Sequence, residues 1–137
     1  MNENFDKAFD FVLLWEGNYS NDANDPGGET KYGISKRAYP NLEIKELTVA
    51  DAKEIYKTDY WQKCGCDNLE YPIDIIVFDT AVNMGVGRAK IILEKSSDWK
   101  DYLMHRIAHY ADISSKNPMF LRGWINRVYS LYKKVIV

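Results

Sequence analysis

The stretch from Pro72 to Met84 constrains the fold of this chain more than any other. Ile73, Ile75, Ile76, Val77, Phe78, Ala81 and Val82 fall on nearly every side of a helical wheel, and Gly85 and Gly87 break the pattern after them. Pro72 suits the first turn of such a helix. A helix that is apolar all round cannot lie on a surface, so it predicts a central helix wrapped by others.

The flanking patterns supply the wrapping. Phe5, Ala8, Phe9 and Val12 recur at helical spacing and predict a first helix from Asn4 to Trp15, with Gly17 as its C-terminal cap. Ser35 is placed to cap a short helix ending near Pro40. Thr48 followed by Asp51 forms a capping-box pattern that opens a helix running to Lys63, with Ala52, Ile55, Tyr56 and Asp59-Tyr60 turned inward. Further helices are expected over Arg88–Glu94, from Ser97 to Ile113, and from Asn117-Pro118 to Lys134. With 137 residues, no internal repeat and no linker, the chain reads as one mainly α-helical domain with a small β-hairpin near its N-terminus.

That hairpin falls in the longest unusual connection, Trp15 to Ile34. It holds Asp22, Asp25 and Glu29, turn glycines at 27, 28 and 33, and a run of hydroxyl and amide side chains. A plain helix-to-helix connector is usually shorter. Glu16 lies four residues after Val12, on the buried stripe of the first helix and at its carbonyl end. Partial burial and the negative end of the helix dipole both raise a carboxyl pKa. Asp25, in a polar turn, is expected to stay ionised. A protonated acid beside an ionised one is the pairing that glycoside hydrolysis requires. The residue chemistry alone leaves a second reading open, because Asp-Pro-Gly-Gly is a good turn sequence whatever the function.

Composition adds direction. Aromatic residues reach 14%, which suits a sugar-lined cleft as well as a core. The net charge of −2 hides an asymmetry. Residues 1–30 carry seven acids against Lys7, whereas residues 88–137 carry ten basic residues against four acids. A basic C-terminal half can attract an anionic polymer, such as the bacterial wall. With a negative net charge and no recognition motif, nucleic acid is not an expected partner. Cys64 and Cys66 lack companion ligands and read as reduced thiols. His105 and His109 stand one turn apart without a third ligand, so no metal and no cofactor is expected. The acidic N-terminus is unlike a secretory signal, and no apolar run spans a membrane, so synthesis in the cytoplasm is expected.

The string Glu16-Gly-Asn-Tyr-Ser-Asn-Asp-Ala-Asn-Asp25-Pro-Gly-Gly-Glu-Thr30-Lys-Tyr-Gly-Ile34 resembles the N-terminal signature of glycoside hydrolase family 108. Phe78-Asp-Thr-Ala-Val-Asn-Met-Gly85 and Leu121-Arg-Gly-Trp-Ile-Asn-Arg-Val128 resemble that family's second and third blocks. The resemblance implies a lysozyme-like domain over 1–137, with a catalytic lobe at 1–70 and a helical lobe at 71–137. It implies a muramidase that cleaves the β-1,4 bond between N-acetylmuramic acid and N-acetylglucosamine in bacterial peptidoglycan, with inversion.

Glu16 takes the family's catalytic position. Asp25 and Thr30 match the water-holding pair of phage-type lysozymes, with Asp22 as a rival to Asp25. Tyr32, Asp79 and Asn83 are the expected substrate contacts, Asn83 toward an N-acetyl group. Trp124, Arg122 and Arg127 read as packing of the last helix against the first. The family's phage members imply release of a monomeric enzyme to the wall, with a holin or another release system as partner. Asn18 replaces the second glycine of the usual Glu-Gly-Gly, and the C-terminal half is short. Those departures keep a non-catalytic wall-binding protein on the same fold in view, and a lytic transglycosylase is the enzymatic alternative because one glutamate can serve both chemistries.

Overall fold

A computed structural model describes every residue except Met1, Ala23, Asp25, Pro26 and Val137, and leaves the Asn2 side chain undescribed. Six α-helices and a small sheet make up the described part. The apolar stretch forms α3, Ile73–Met84, buried without a break from Asp74 to Ala81. Phe78 is its hub: the rings of Phe5, Trp61 and Tyr56 meet it edge-on at 5.6, 5.6 and 6.2 Å. Edge-to-face contacts of this kind add to the hydrophobic gain of burying the rings.

Helix α1, Asn2–Glu16, delivers Phe5 and Phe9 to that cluster and carries Glu16 as its last residue. Gly17 follows at φ +75°, the left-handed conformation that ends a helix cheaply only at glycine. The chain then forms β1, Ser20–Asn21, β2, Glu29–Lys31, and β3, Ile34–Ser35, an antiparallel sheet in the order β1-β2-β3. Thr30 pairs with Ser20 on one side and Ser35 on the other. The expected hairpin therefore gains a third strand.

That third strand replaces the short helix expected from Ser35. The cap chemistry is present, since Ser35 Oγ accepts from Ala38 N–H at 3.1 Å, but it closes a turn. Lys36 N–H and Arg37 N–H bond back to Glu29 O and Gly27 O at 2.8 and 3.3 Å, so the sheet claims the segment. The few residues before Pro40 are too short to nucleate a helix against that pull.

Thr48 and Asp51 form the capping box, opening α2, Val49–Tyr56. The helix does not run on to Lys63. It widens into a π-helical turn, Lys57–Trp61, closed by Gln62 N–H to Lys57 O at 2.9 Å. The wider turn brings residues five apart onto one side, so Tyr56 and Trp61 are both buried. Helix α4, Val86–Lys95, packs back on α3 after Gly85. Helix α5, Trp99–Ile113, begins later than Ser97 because Asp98, not Ser97, is its N-cap, accepting from Asp101 N–H at 2.8 Å. Pro118–Phe120 form a 3-10 turn before α6, Leu121–Val135. Cys64 and Cys66 are free and buried. Among the described residues no helix is long and apolar enough to cross a membrane.

Candidate active site

Glu16 ends α1 with its side chain 22% exposed, at the point where α1, the sheet, α3 and α6 come together. Gly33, in the turn between β2 and β3, stands against it. A Cβ built on Gly33 would lie 2.8 and 2.9 Å from Glu16 Cβ and Cγ, so only glycine allows the turn to approach this closely. Tyr56 supports the same turn, donating its hydroxyl to Tyr32 O at 2.7 Å. Tyr32 itself is held at φ +54°, a conformation that bulky residues seldom adopt.

From the opposite side, Arg127 of α6 reaches Glu16 Oε2 through Nη1 at 3.1 Å. The remaining nitrogens of its fork hold Asp79 of α3, Nη2 at 2.8 Å and Nε at 3.1 Å from Oδ1. Asp79 is 1% exposed, and its other oxygen meets Arg106 of α5 at 2.8 Å. Arg106 is fully buried. It donates to Thr80 Oγ1 and to the Tyr110 hydroxyl, both at 3.0 Å, and Tyr110 donates in turn to Asn83 Oδ1. The buried network thus runs Glu16, Arg127, Asp79, Arg106, Tyr110, Asn83.

The electrostatics follow from these contacts. Burial pushes the Glu16 carboxyl above its usual range, Arg127 pulls it down, and the Asp79 charge adds a further push upward. Burial also opposes ionisation of Asp79, but the Arg106 and Arg127 guanidiniums overcome it and hold that carboxyl below the usual range. Glu16 is therefore a carboxyl of raised proton affinity facing partly into solvent. Asp79 is a fixed anion beneath it. The first can deliver a proton; the second can only orient and tune.

The sequence-predicted residues are distributed accordingly. Glu16 and Asp79 come together through Arg127, and Asn83 stands one helical turn beyond Asp79. Asp79 does not reach the surface as an expected substrate contact should, because both its oxygens face buried cations. Thr30 lies in the middle of β2, two residues before Tyr32, half-buried. Asp25 lies outside the described residues. Its rival Asp22 accepts from Asn24 N–H at 2.9 Å in an exposed turn. His105 pairs with Asp101 at 3.3 Å. Among the described residues, no group of three His, Cys, Asp or Glu side chains is placed to share a metal ion.

Arg127 joins the last helix to the first, as expected, and does so through the carboxylate at the centre of the site. Its signal was present: Arg127, Val128, Leu131 and Val135 form the buried face of α6, and Tyr102, Arg106 and Tyr110 that of α5. A cation on an apolar stripe demands a buried anion, and Asp79 on the all-apolar α3 demands a cation. Tyr56 and Tyr110, which brace the site from either side, gave no such signal beyond their inward spacing.

The family model described as Glycosyl hydrolase 108 matches residues 9–85, more than half of the chain. The match contains Glu16, Thr30, Tyr32, Asp79 and Asn83, and ends before α5 and α6. A solved structure of SagA from Brucella abortus superposes with a TM-score of 0.81 at 26% sequence identity, covering 99% of this chain and 95% of SagA. No curated protein sequence matches the chain.

Proposed function

This chain belongs to the glycosyl hydrolase 108 family and has a lysozyme-like fold, and from that premise we propose that it hydrolyses the glycan strands of bacterial peptidoglycan. The bond is the β-1,4 linkage between N-acetylmuramic acid and N-acetylglucosamine. Glu16 is the general acid: it donates its proton to the glycosidic oxygen as the C–O bond breaks and positive charge develops on the departing sugar ring. Water attacks from the opposite face with inversion, oriented by Thr30 and by Asp25. The enzyme acts on the wall after release from the cell that makes it, through a holin or another release system.

The observation that carries the reading is the setting of Glu16. A carboxyl whose proton affinity is raised by burial, partly open to solvent and framed by a tight glycine turn, departs from an ordinary surface glutamate in the direction that supports a general acid. Arg127 opposes its protonation at rest, and burial together with Asp79 restores it.

The test is a reducing-end assay on purified peptidoglycan with the native chain and Glu16→Gln, which keeps the shape and removes the proton. A loss of about 10²–10⁴-fold is expected for a general acid. Hydrolysis by the variant at the native rate would falsify the assignment. Mass spectrometry of the products addresses the rival chemistry: hydrolysis leaves reducing ends, whereas a lytic transglycosylase leaves 1,6-anhydro ends.

A further inference from the structure

We propose that Asn83 and Trp124, fixed to one another by Tyr110, form a subsite for one N-acetylated hexosamine unit beside Glu16. The inference deepens the glycan-hydrolase reading above and rests on it.

A hydrogen-bond chain of fixed direction ends at Asn83. Arg106 Nε–H donates to the Tyr110 hydroxyl at 3.0 Å, and a guanidinium offers only donors. The Tyr110 oxygen is therefore the acceptor there, and its own proton is free to point elsewhere. It goes to Asn83 Oδ1. That fixes the amide: the carbonyl of Asn83 is used inward, and its Nδ2 group, with two N–H donors, forms the other end of a half-buried side chain.

The ring of the same Tyr110 stacks on Trp124, with centroids 4.9 Å apart and planes 14° from parallel. Trp124 is half-buried, and Phe120, 52% exposed, continues the apolar surface 5.9 Å away. One tyrosine thus sets an amide donor and an aromatic ledge side by side.

Position relative to the acid follows from helix geometry. Asn83 is four residues beyond Asp79 on α3, a step of about 6 Å, and Trp124 is three residues before Arg127 on α6, about 4.5 Å. Asp79 and Arg127 meet beneath Glu16. Each helix steps one turn away from that ion pair, and the contacts of Tyr110 show that the two steps end at the same place.

The pairing selects a chemistry. The C–H face of a pyranose ring packs on an aromatic ledge, and an acetamido carbonyl accepts from an amide N–H₂. A hexosamine without its acetyl group presents no carbonyl there, and its ammonium would face donors.

The experiment titrates the 137-residue chain, by calorimetry, with the β-1,4 tetramer of N-acetylglucosamine and with the same tetramer stripped of acetyl groups. The native chain is expected to prefer the acetylated tetramer by about tenfold or more, the worth of one well-placed hydrogen bond. Asn83→Ala and the near-isosteric Asn83→Asp, which replaces the donor end with an acceptor, should erase that preference. Trp124→Ala should weaken both tetramers, and Trp124→Phe should recover part of the loss, with circular dichroism confirming each fold. Equal binding of the two tetramers by the native chain, or a preference that survives in both Asn83 variants, overturns the subsite. Glu16→Gln separates this from the catalytic reading: it should keep the preference while losing hydrolysis. If hydrolysis depends on Glu16 but no preference exists, the subsite alone fails; if the preference exists and Glu16→Gln still hydrolyses, the catalytic assignment alone fails.

Discussion

Arg127 stands 3.1 Å from Glu16 across a separation of 111 residues, and the rest of its guanidinium is committed to Asp79. The cation nearest the acid is therefore shared with a deeper anion that no solvent reaches. Burial and Asp79 raise the proton affinity of Glu16 and Arg127 lowers it, and the two charged neighbours can be removed separately.

Asp79→Asn removes the anion that raises the Glu16 carboxyl and leaves Arg127 free to turn fully toward it. The proton affinity of Glu16 should fall, and the basic limb of the kcat/KM profile should move to lower pH. Two buried guanidiniums also lose their common partner, so stability should drop by about 3–5 kcal/mol. A pH–rate series and a urea unfolding curve measure the two effects. A basic limb that stays in place would show that Asp79 does not tune the acid.

Arg127→Met should act in the opposite sense on pH. Arg127 lowers the Glu16 carboxyl by its charge and by its hydrogen bond, so its loss should move the basic limb upward. Arg127→Lys keeps the charge without the planar fork and should shift it less. The ordering Asp79→Asn, native, Arg127→Lys, Arg127→Met along the pH axis is the expected result, and any reversal of the two end members counts against the network.

Gly33→Ala and Gly28→Ala separate strain from crowding. Both glycines are left-handed, at φ +82° and +71°, and either alanine should cost about 1–2 kcal/mol for that conformation. Only at Gly33 does the added methyl meet other groups, the Tyr56 hydroxyl and Glu16 Cβ, the latter at 2.8 Å, whereas nothing lies within 4 Å at Gly28. Hydrolysis should therefore collapse in Gly33→Ala and persist in Gly28→Ala at matched stability. Equal activities would mean that the turn does not position the acid.

The raised Glu16 carboxyl also predicts a pH-dependent stability. Its folded pKa lies above the ordinary 4.5, so the folded state holds the proton more tightly than the unfolded chain. The resulting stabilisation is complete below the unfolded value and is lost as pH rises through the folded one. Glu16→Gln has no such titration. The stability of the native chain relative to Glu16→Gln should be greatest below the ordinary carboxyl value and decline as pH rises through the raised folded one, read from thermal unfolding of both. A difference that is flat with pH, or that grows, would mean that burial does not raise this carboxyl.

Much of the frame was legible before any coordinates. Ile73 to Val82 could only be a central helix, because no side of it tolerates water. Thr48 and Asp51 marked the start of α2 because a capping box is made within a few consecutive residues. Phe5, Phe9 and Val12 set the inward stripe of α1, and the stripe carried Glu16 to the interior edge with Gly17 to end the helix. Where local cues misled, the competing force was still nearby in sequence: Ser35 offered a cap, but the backbone of Glu29 offered a strand.

What the chain order could not state was which buried groups would face each other. Periodicity tells which side of a helix turns inward, and nothing about the partner met there, since that depends on how separate helices pack. Arg127 on its stripe, Asp79 on α3 and Arg106 on α5 each implied a buried counter-charge, yet only packing assigned Asp79 to both arginines and left one arm of Arg127 for Glu16. The sequence determined that a carboxyl would sit at the end of the first helix; the tertiary structure decided how tightly that carboxyl holds its proton, because proton affinity is set by charges brought near through space rather than along the chain.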